Sequence, residues 1–339
     1  MMISVMTRAI GTFGVMMNAE KRIREKTACK DNISVAVIGA SGMLGSMVLD
    51  VLSREQGLKL IATVRSIDIM KQMRIHYSDV DWWLLDADMT DMAKLTDILR
   101  DADWIINAVG LTKPYIHDDN PDEIEQAILV NSLFPHKLAK AAAIQGARIL
   151  QIATDCVYSG EKGSYNENDS HDASDVYGKT KSLGEAFLPN VHNLRCSILG
   201  PELKTFVFLY EWFRHQPQNA QVNGYTNHRW NGISTLHFAK ICLGIIKGKI
   251  KLGHLQHVIP TGTVSKFELL SIFAKAFHRP DLTINPVNAN TCIDRTLTTE
   301  NEIMNQTLWK AAGYSSPPPI PEMIKEMALS TSTFSLSVR

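Results

Sequence analysis

Cysteine is scarce and unpaired in this chain. The five residues, Cys29, Cys156, Cys196, Cys242 and Cys292, are odd in number and scattered. With no CxxC pair, neither a zinc site nor a disulfide framework is indicated, and a reducing, cytoplasmic compartment is the expectation. The eleven histidines contain no HExxH or other close ligand spacing, so no metal is expected. No apolar run approaches the roughly 18 residues that a membrane helix needs. An excess of one charge is missing too. Lys plus Arg and Asp plus Glu each number 35, which removes the field that nucleic acid or an anionic membrane surface would require. No internal repeat is visible.

What is present is 339 residues, 45% hydrophobic, ample for one large domain or two smaller ones. Residues 1–32 stand apart, with several Met, two Gly and the basic cluster KRIREKTACK. A secretory signal places its charge before its apolar segment, and here the densest charge follows it. The stretch reads as a poorly ordered extension or a start placed too early, beside a weaker amphipathic or targeting reading.

A short buried strand at Ile33–Ile38 runs into Gly39-Ala-Ser41-Gly42-Met43-Leu44-Gly45 and a helix to about Arg54. This is GxxGxxG in a strand–turn–helix setting, which predicts a dinucleotide site. Gly39 permits the tight turn, Gly42 lets the backbone approach a pyrophosphate, and Gly45 lets the helix pack on the sheet. The phosphates would sit at the positive end of that helix, within the turn that carries Ser41, Met43 and Leu44. A second strand, LKLIATV, ends at Arg65 with no acidic residue to hold a ribose 2′-hydroxyl. Arg65 can instead pair with a 2′-phosphate, which argues for NADPH with NADH as the alternative; a solvated arginine fits equally.

A third strand at residues 83–85 leads into Asp86-Ala-Asp88-Met-Thr-Asp and a helix over 92–100. Asp88 is placed for an adenine edge, or the cluster caps the helix. A fourth strand, 103–108, ends in Asn107-Ala108-Val109-Gly110, small enough for a cofactor ribose to lie against the backbone. A long helical segment, 121–145, contains Asn131, which can tie two elements together by hydrogen bonds. A fifth strand, 148–153, delivers Thr154 and Asp155. Strands and helices alternating at this rhythm imply an α/β, doubly wound parallel sheet whose ligands collect at the carboxyl ends of the strands.

Tyr177 and Lys181 follow, four residues apart and so on one face of a helix. A nearby positive charge favours the phenolate and lowers a tyrosine pKa from about 10. A tyrosine so tuned donates or accepts a proton at neutral pH. A lone YxxxK also describes a surface pair on a polar helix; the upstream motifs favour the functional reading.

Together these residues resemble an extended short-chain dehydrogenase/reductase and, more narrowly, the dTDP-4-dehydrorhamnose reductase group of sugar-nucleotide 4-ketoreductases. The matching pieces are GASGMLG, DADMTD, NAVG, VNSLFPHKLAKAA, ATDCVYSG, YNEND, YGKTKSLGE and LRCSILGPE, in order from about Val35 to Glu202. The resemblance implies a Rossmann domain over 33–200, with 232–260 returning to it. It also implies a smaller carboxyl-terminal substrate-binding region over 201–231 and 261–330, and a frayed tail from 331. It implies a Thr154/Tyr177/Lys181 site in which Tyr177 protonates the oxyanion formed by hydride delivery to C4. Lys181 would hold the nicotinamide ribose, Thr154 would hydrogen-bond the carbonyl, and Asp155 would orient neighbouring groups. Sugar-nucleotide dehydratases of this kind usually read Thr-Asp-Glu; Cys156 in the third place argues for simple reduction. Prolines common before the family's tyrosine are replaced by His171-Asp-Ala-Ser-Asp-Val, which implies a different loop. An epimerase on the same scaffold and a non-catalytic NADP-binding regulatory subunit are the alternatives. A nucleotide sugar is the expected partner, and a homodimer is compatible.

In the second half, residues 206–215 read as an aromatic helix whose Trp212 and Phe213 suit a core. Residues 224–232, GYTNHRWNG, read as a polar loop in which Asn227 and Trp230 could clamp a sugar or base, or as a structured turn. A strand and helix over 232–247, a strand over 253–260, a helix over 264–277 and a last helix over 321–329 complete the expectation. Asp294-Arg-Thr-Leu echoes a family segment where an arginine meets the nucleotide diphosphate, which makes Arg295 a substrate-binding residue by resemblance.

Overall fold

Alternate residues of the first strand face different layers of helices. In Ile33–Ile38 (β1), Val35 and Val37 enter one apolar cluster while Ala36 and Ile38 enter another. The period of two is that of an extended chain. Six more strands join β1: Leu58–Val64 (β2), Asp81–Leu84 (β3), Trp104–Asn107 (β4), Arg148–Thr154 (β5), Val191–Cys196 (β6) and Leu255–His257 (β7). Their order is β7-β6-β5-β4-β1-β2-β3, and every neighbouring pair is parallel. The order reverses between β1 and β4, opening a crevice at their carboxyl ends. The computed structural model describes residues 32–203 and 206–331. The expected amino-terminal extension before residue 32 and the tail beyond Thr331 lie outside the described residues.

A sheet apolar on both faces has to be covered on both. On one side lie Met43–Ser53 and Thr235–Gly248, which contribute Met47, Val48, Phe238, Ile241 and Ile245. On the other lie Met92–Ile98 and Phe134–Gln145, which contribute Leu95, Phe134, Leu138 and Ala142 around Ile105 of β4. Ile105 is fully buried, so Ile105→Ala would cost about 2–5 kcal/mol. The turn out of β1 needs its glycines. Gly39 has φ +84°, and a Cβ on Gly45 would stand 2.1 Å from the Gly39 carbonyl oxygen.

Several elements differ from expectation. A helix at Ile67–His76, capped by Ser66, buries only Met70 and Met73 and carries a largely polar sequence that conceals it. The third strand begins at Asp81, earlier than expected. Residues 121–145 are helical, but Ile128–Leu133 widens into a π-helix. Much of the expected polar loop at 224–232 is strand, with a bend at Thr226-Asn227 between two strands. Gln221–Tyr225 pairs with Thr283–Val287, and His228–Trp230 runs between Val264–Ser265 and Ile293–Asp294. Its buried residues, Val222, Gly224 and Trp230, are interspersed with exposed polar ones, which masks the strands. The aromatic helix is only Leu209–Arg214. The helix expected from 264 starts at Lys266 instead, where Ser265 and Glu268 form a capping box. A further helix, Glu302–Ala311, was not foreseen. Among the described residues no helix is long and apolar enough to cross a membrane.

Candidate active site

β5 ends at Thr154, where the chain turns into the short 3-10 segment Asp155–Val157. The turn is held by Thr154, whose Oγ1 accepts from the Cys156 amide at 3.1 Å and donates to Asp155 Oδ1 at 3.2 Å. Asp155 is buried, and Ser197 is near enough to oppose the rise in its pKa. The Ser197 hydroxyl in turn accepts from the Trp230 indole at 2.9 Å. Burial raises the Asp155 pKa, opposed by the charges of Arg295 and Lys266.

Tyr177 and Lys181 ride on Val176–Leu183. Asp175 caps this helix by accepting from the Gly178 amide at 2.7 Å, and Lys113 pairs with the same carboxylate at 2.6 Å. Asp118 accepts from the Val176 amide at 3.2 Å, so the loop after β4 clamps the helix start. Gly178 is required by contact, since a Cβ there would lie 2.4 Å from the Cys156 carbonyl oxygen. The helix can therefore sit directly on the turn that carries Thr154.

Tyr177 is half-buried, and its phenol lies close enough to Thr154 for the threonine to offset slightly the rise in its pKa. Its pKa is raised, reversing the expected depression. Burial is the main cause, with Cys156, Asp155 and Asp175 adding to it. Lys181 is buried and donates to the Ile152 carbonyl at 3.2 Å; burial brings its pKa down to about 8. Its ammonium lies beside Gly110 at the end of β4. Burial pushes the Cys156 thiol up to about 12, so it stays protonated at neutral pH.

The π-helical turn places Asn131 where its amide bonds Leu111 in both directions, at 2.8 and 2.9 Å, and reaches Thr180 at 3.3 Å. It thus joins the β4 loop to the helix of Tyr177, the tie expected of it. Asn107 is a tie as well. Its amide donates to Gln151 at 2.7 Å and accepts from the Val109 amide at 3.2 Å, which shapes the 107–109 turn.

On the glycine side, the Met43–Ser53 helix starts at Gly42 with no side-chain cap and no acidic residue in its first turn. Its leading amides can receive an anion. The N-cap of the next acidic cluster is Asp91, which leaves Asp88 with Oδ1 buried and unpartnered. Arg65 is exposed at the end of β2 and its charge is felt at Asp86.

Arg295 reaches the same turn from the carboxyl-terminal half. Its Nε donates to the Tyr158 carbonyl at 2.7 Å, and the Asp294 amide donates to Gly160 at 2.8 Å. Trp230 is buried next to Ser197. Asn227 is committed elsewhere: its side chain donates to the Ala289 carbonyl at 2.8 Å and accepts from the Ala289 amide at 2.9 Å, fixing a loop. Sequence reading missed Ser197 and Lys266, which reach the site only through pairings distant in sequence. Among the described residues no cluster of metal ligands is present.

A family model described as the RmlD substrate binding domain matches residues 33–332. The chain is 30% identical over 246 residues to a dTDP-4-dehydrorhamnose reductase of Mycobacterium tuberculosis, covering 69% of this chain and 72% of that protein. It is 23% identical over 197 residues to the methionine adenosyltransferase 2 subunit beta of Xenopus tropicalis, covering 54% of this chain and 57% of that protein. A dTDP-4-dehydrorhamnose reductase from Bacillus anthracis, solved in complex with NADP, shares the fold at TM-score 0.65. That match covers 88% of this chain and all of that one, at 18% identity.

Proposed function

The chain belongs to the RmlD substrate binding domain family, and on that premise we propose that it is an NADPH-dependent reductase of a nucleotide-linked 4-keto-6-deoxysugar. Residues 33–200 and 232–260 would hold the dinucleotide; 201–231 and 261–330 would hold the sugar nucleotide. The chain's residues fit the dinucleotide. The uncapped helix start at Gly42 suits its pyrophosphate. The orphaned Oδ1 of Asp88 suits the adenine amino group, and exposed Arg65 suits a 2′-phosphate. When bound, NADPH supplies the hydride that reduces the ketone.

The remaining work falls to the chain. Tyr177, kept protonated by its raised pKa, gives its phenolic proton to the carbonyl oxygen at C4 as the new C–H bond forms. Thr154 turns its hydroxyl from Asp155 towards that oxygen and stabilises the developing charge. Lys181, still largely an ammonium at neutral pH, holds the ribose next to Gly110 and re-supplies a positive environment once Tyr177 has lost its proton.

The observation that carries this reading is the placing of Tyr177 beside Thr154 at the carboxyl edge of β5, where the Gly178 contact seats its helix on the Cys156 turn, with a protonated thiol, not a carboxylate, at position 156. A site with an acid donor and no base at that position suits reduction over elimination. The test is loss of reduced-nicotinamide absorbance with NADPH and dTDP-4-dehydrorhamnose. Stoichiometric loss supports the reductase; sugar conversion without net loss points to an epimerase.

The likeness to a methionine adenosyltransferase beta subunit favours a second reading, as a subunit that binds NADP and acts through another enzyme. Intact Thr154, Tyr177 and Lys181 weigh against it. An effect on a partner's activity that persists in Tyr177→Phe would favour it.

A further inference from the structure

Lys266 is the first residue of the helix Lys266–Ala276, immediately after the strand Val264–Ser265. That strand and Ile293–Asp294 flank His228–Trp230 on its two sides, and each ends one residue before a cation, Lys266 and Arg295. The Lys266 ammonium is half-buried and stands 5.8 Å from the centre of the Trp230 ring. Trp230 is locked to Ser197, which lies close to Asp155. Lys266 therefore faces the Thr154–Asp155 turn, and the charge it feels is that of Asp155. Among the described residues it has no hydrogen-bond acceptor and no ion-pair partner within contact.

A partly desolvated ammonium without an acceptor is costly unless a ligand completes it. Asp155 is already engaged by Thr154 and Ser197, and it sits under two cations at once. The Lys113 ammonium, by contrast, is satisfied by Asp175. The turn thus carries more positive than negative charge, with donors of Lys266 and Arg295 free to meet oxygen atoms. The keto-sugar itself is uncharged, so the group that answers this charge is the diphosphate.

We propose that Lys266 is a substrate-binding residue which, with Arg295, takes the diphosphate of the nucleotide sugar. This rests on the nucleotide-sugar reading given above. It makes Lys266 a determinant of affinity for any nucleoside diphosphate and not of cofactor binding.

The test is calorimetric titration of thymidine diphosphate, in the presence of NADP, into wild type, Lys266→Met, Lys266→Gln and Lys266→Arg. NADPH binding to each serves as the control for folding. Loss of a charged contact should weaken thymidine diphosphate roughly tenfold or more in the Met and Gln variants, with NADPH affinity unchanged and a shallower salt dependence. The Arg variant should retain most of the affinity. Equal binding by wild type and a folded Met or Gln variant would overturn the proposal. So would a loss in Lys266→Arg as large as in Lys266→Met, because the effect would then lie in packing on Trp230. If wild type binds NADPH but no thymidine diphosphate, the nucleotide-sugar reading itself fails, an outcome separate from either of these.

Discussion

The phenol of Tyr177 lies beside Thr154, while the ammonium of Lys181, one turn along the same helix, donates to the Ile152 carbonyl at 3.2 Å. The proposed proton donor thus sits next to the group proposed to share the substrate oxygen with it. Lys181 is held back at the β4–β5 seam.

Tyr177→Phe should remove the proposed proton donor without disturbing the fold. Turnover should fall by roughly two to four orders of magnitude. NADPH affinity, measured by fluorescence titration, should be nearly unchanged, because the phenol's hydroxyl contacts Thr154 and not the glycine turn. Unchanged turnover would remove Tyr177 from the mechanism.

The pH profile of kcat/KM reports groups of the free enzyme. Tyr177 is raised by burial and stays protonated throughout the usual range, so it should set no limb. Lys181 is brought down to about 8, so its charge is present below that pH and lost above it. kcat/KM should therefore fall above about pH 8 with a one-proton slope. A plateau through pH 10 would contradict the role given to Lys181.

Acid should loosen the seam behind the Val176–Leu183 helix. Arg195 is fully buried and donates to both oxygens of Glu185, at 3.2 and 2.5 Å. It also donates to Nε2 of His171 at 2.7 Å and of His257 at 2.9 Å, which requires both rings to be neutral. Burial lowers both histidines, His257 to about 4. A histidine ordinarily titrates near 6.5, so below that pH the unfolded chain binds protons that the folded one refuses. Stability should therefore fall as pH drops from about 6.5 towards 4, by up to about 1.4 kcal/mol per pH unit for the buried His257 ring, with His171 acting in the same direction. Melting temperature against pH checks this, and His257→Asn should flatten the slope. Glu185→Ala, which strands a buried guanidinium, should cost about 3–5 kcal/mol.

Gly45→Ala should damage the nucleotide half. Its Cβ would fall 2.1 Å from the Gly39 carbonyl oxygen, so the helix must move off the turn that would carry the pyrophosphate. Both the melting temperature and NADPH affinity should drop, and urea titration with and without NADPH separates the two effects. Preserved binding in a folded variant would place the phosphates elsewhere.

What the sequence made legible was local. The GxxGxxG spacing, the i,i+4 pairing of Tyr177 with Lys181, and the strand–helix rhythm each depend on neighbours in the chain. Lys266 did not stand out because its meaning depends on Val264–Ser265 pairing with His228–Trp230. Asn227 looked like a sugar contact because it is polar and flanked by aromatics; only the fold shows that Ala289 engages it. The Tyr177 pKa runs opposite to expectation because burial, which the spacing of Tyr177 and Lys181 does not report, sets it, while the Lys181 ammonium is turned to the Ile152 carbonyl.

The most direct test of a hydride-transferring nucleotide-sugar site is the mass of the sugar recovered after turnover of dTDP-4-dehydrorhamnose with NADPH deuterated at the transferred position. A reductase predicts a product carrying one added deuterium at C4 and one added proton on its oxygen, formed in step with cofactor consumed. A recovered sugar of unchanged mass, with NADPH bound but not oxidised, would contradict the account.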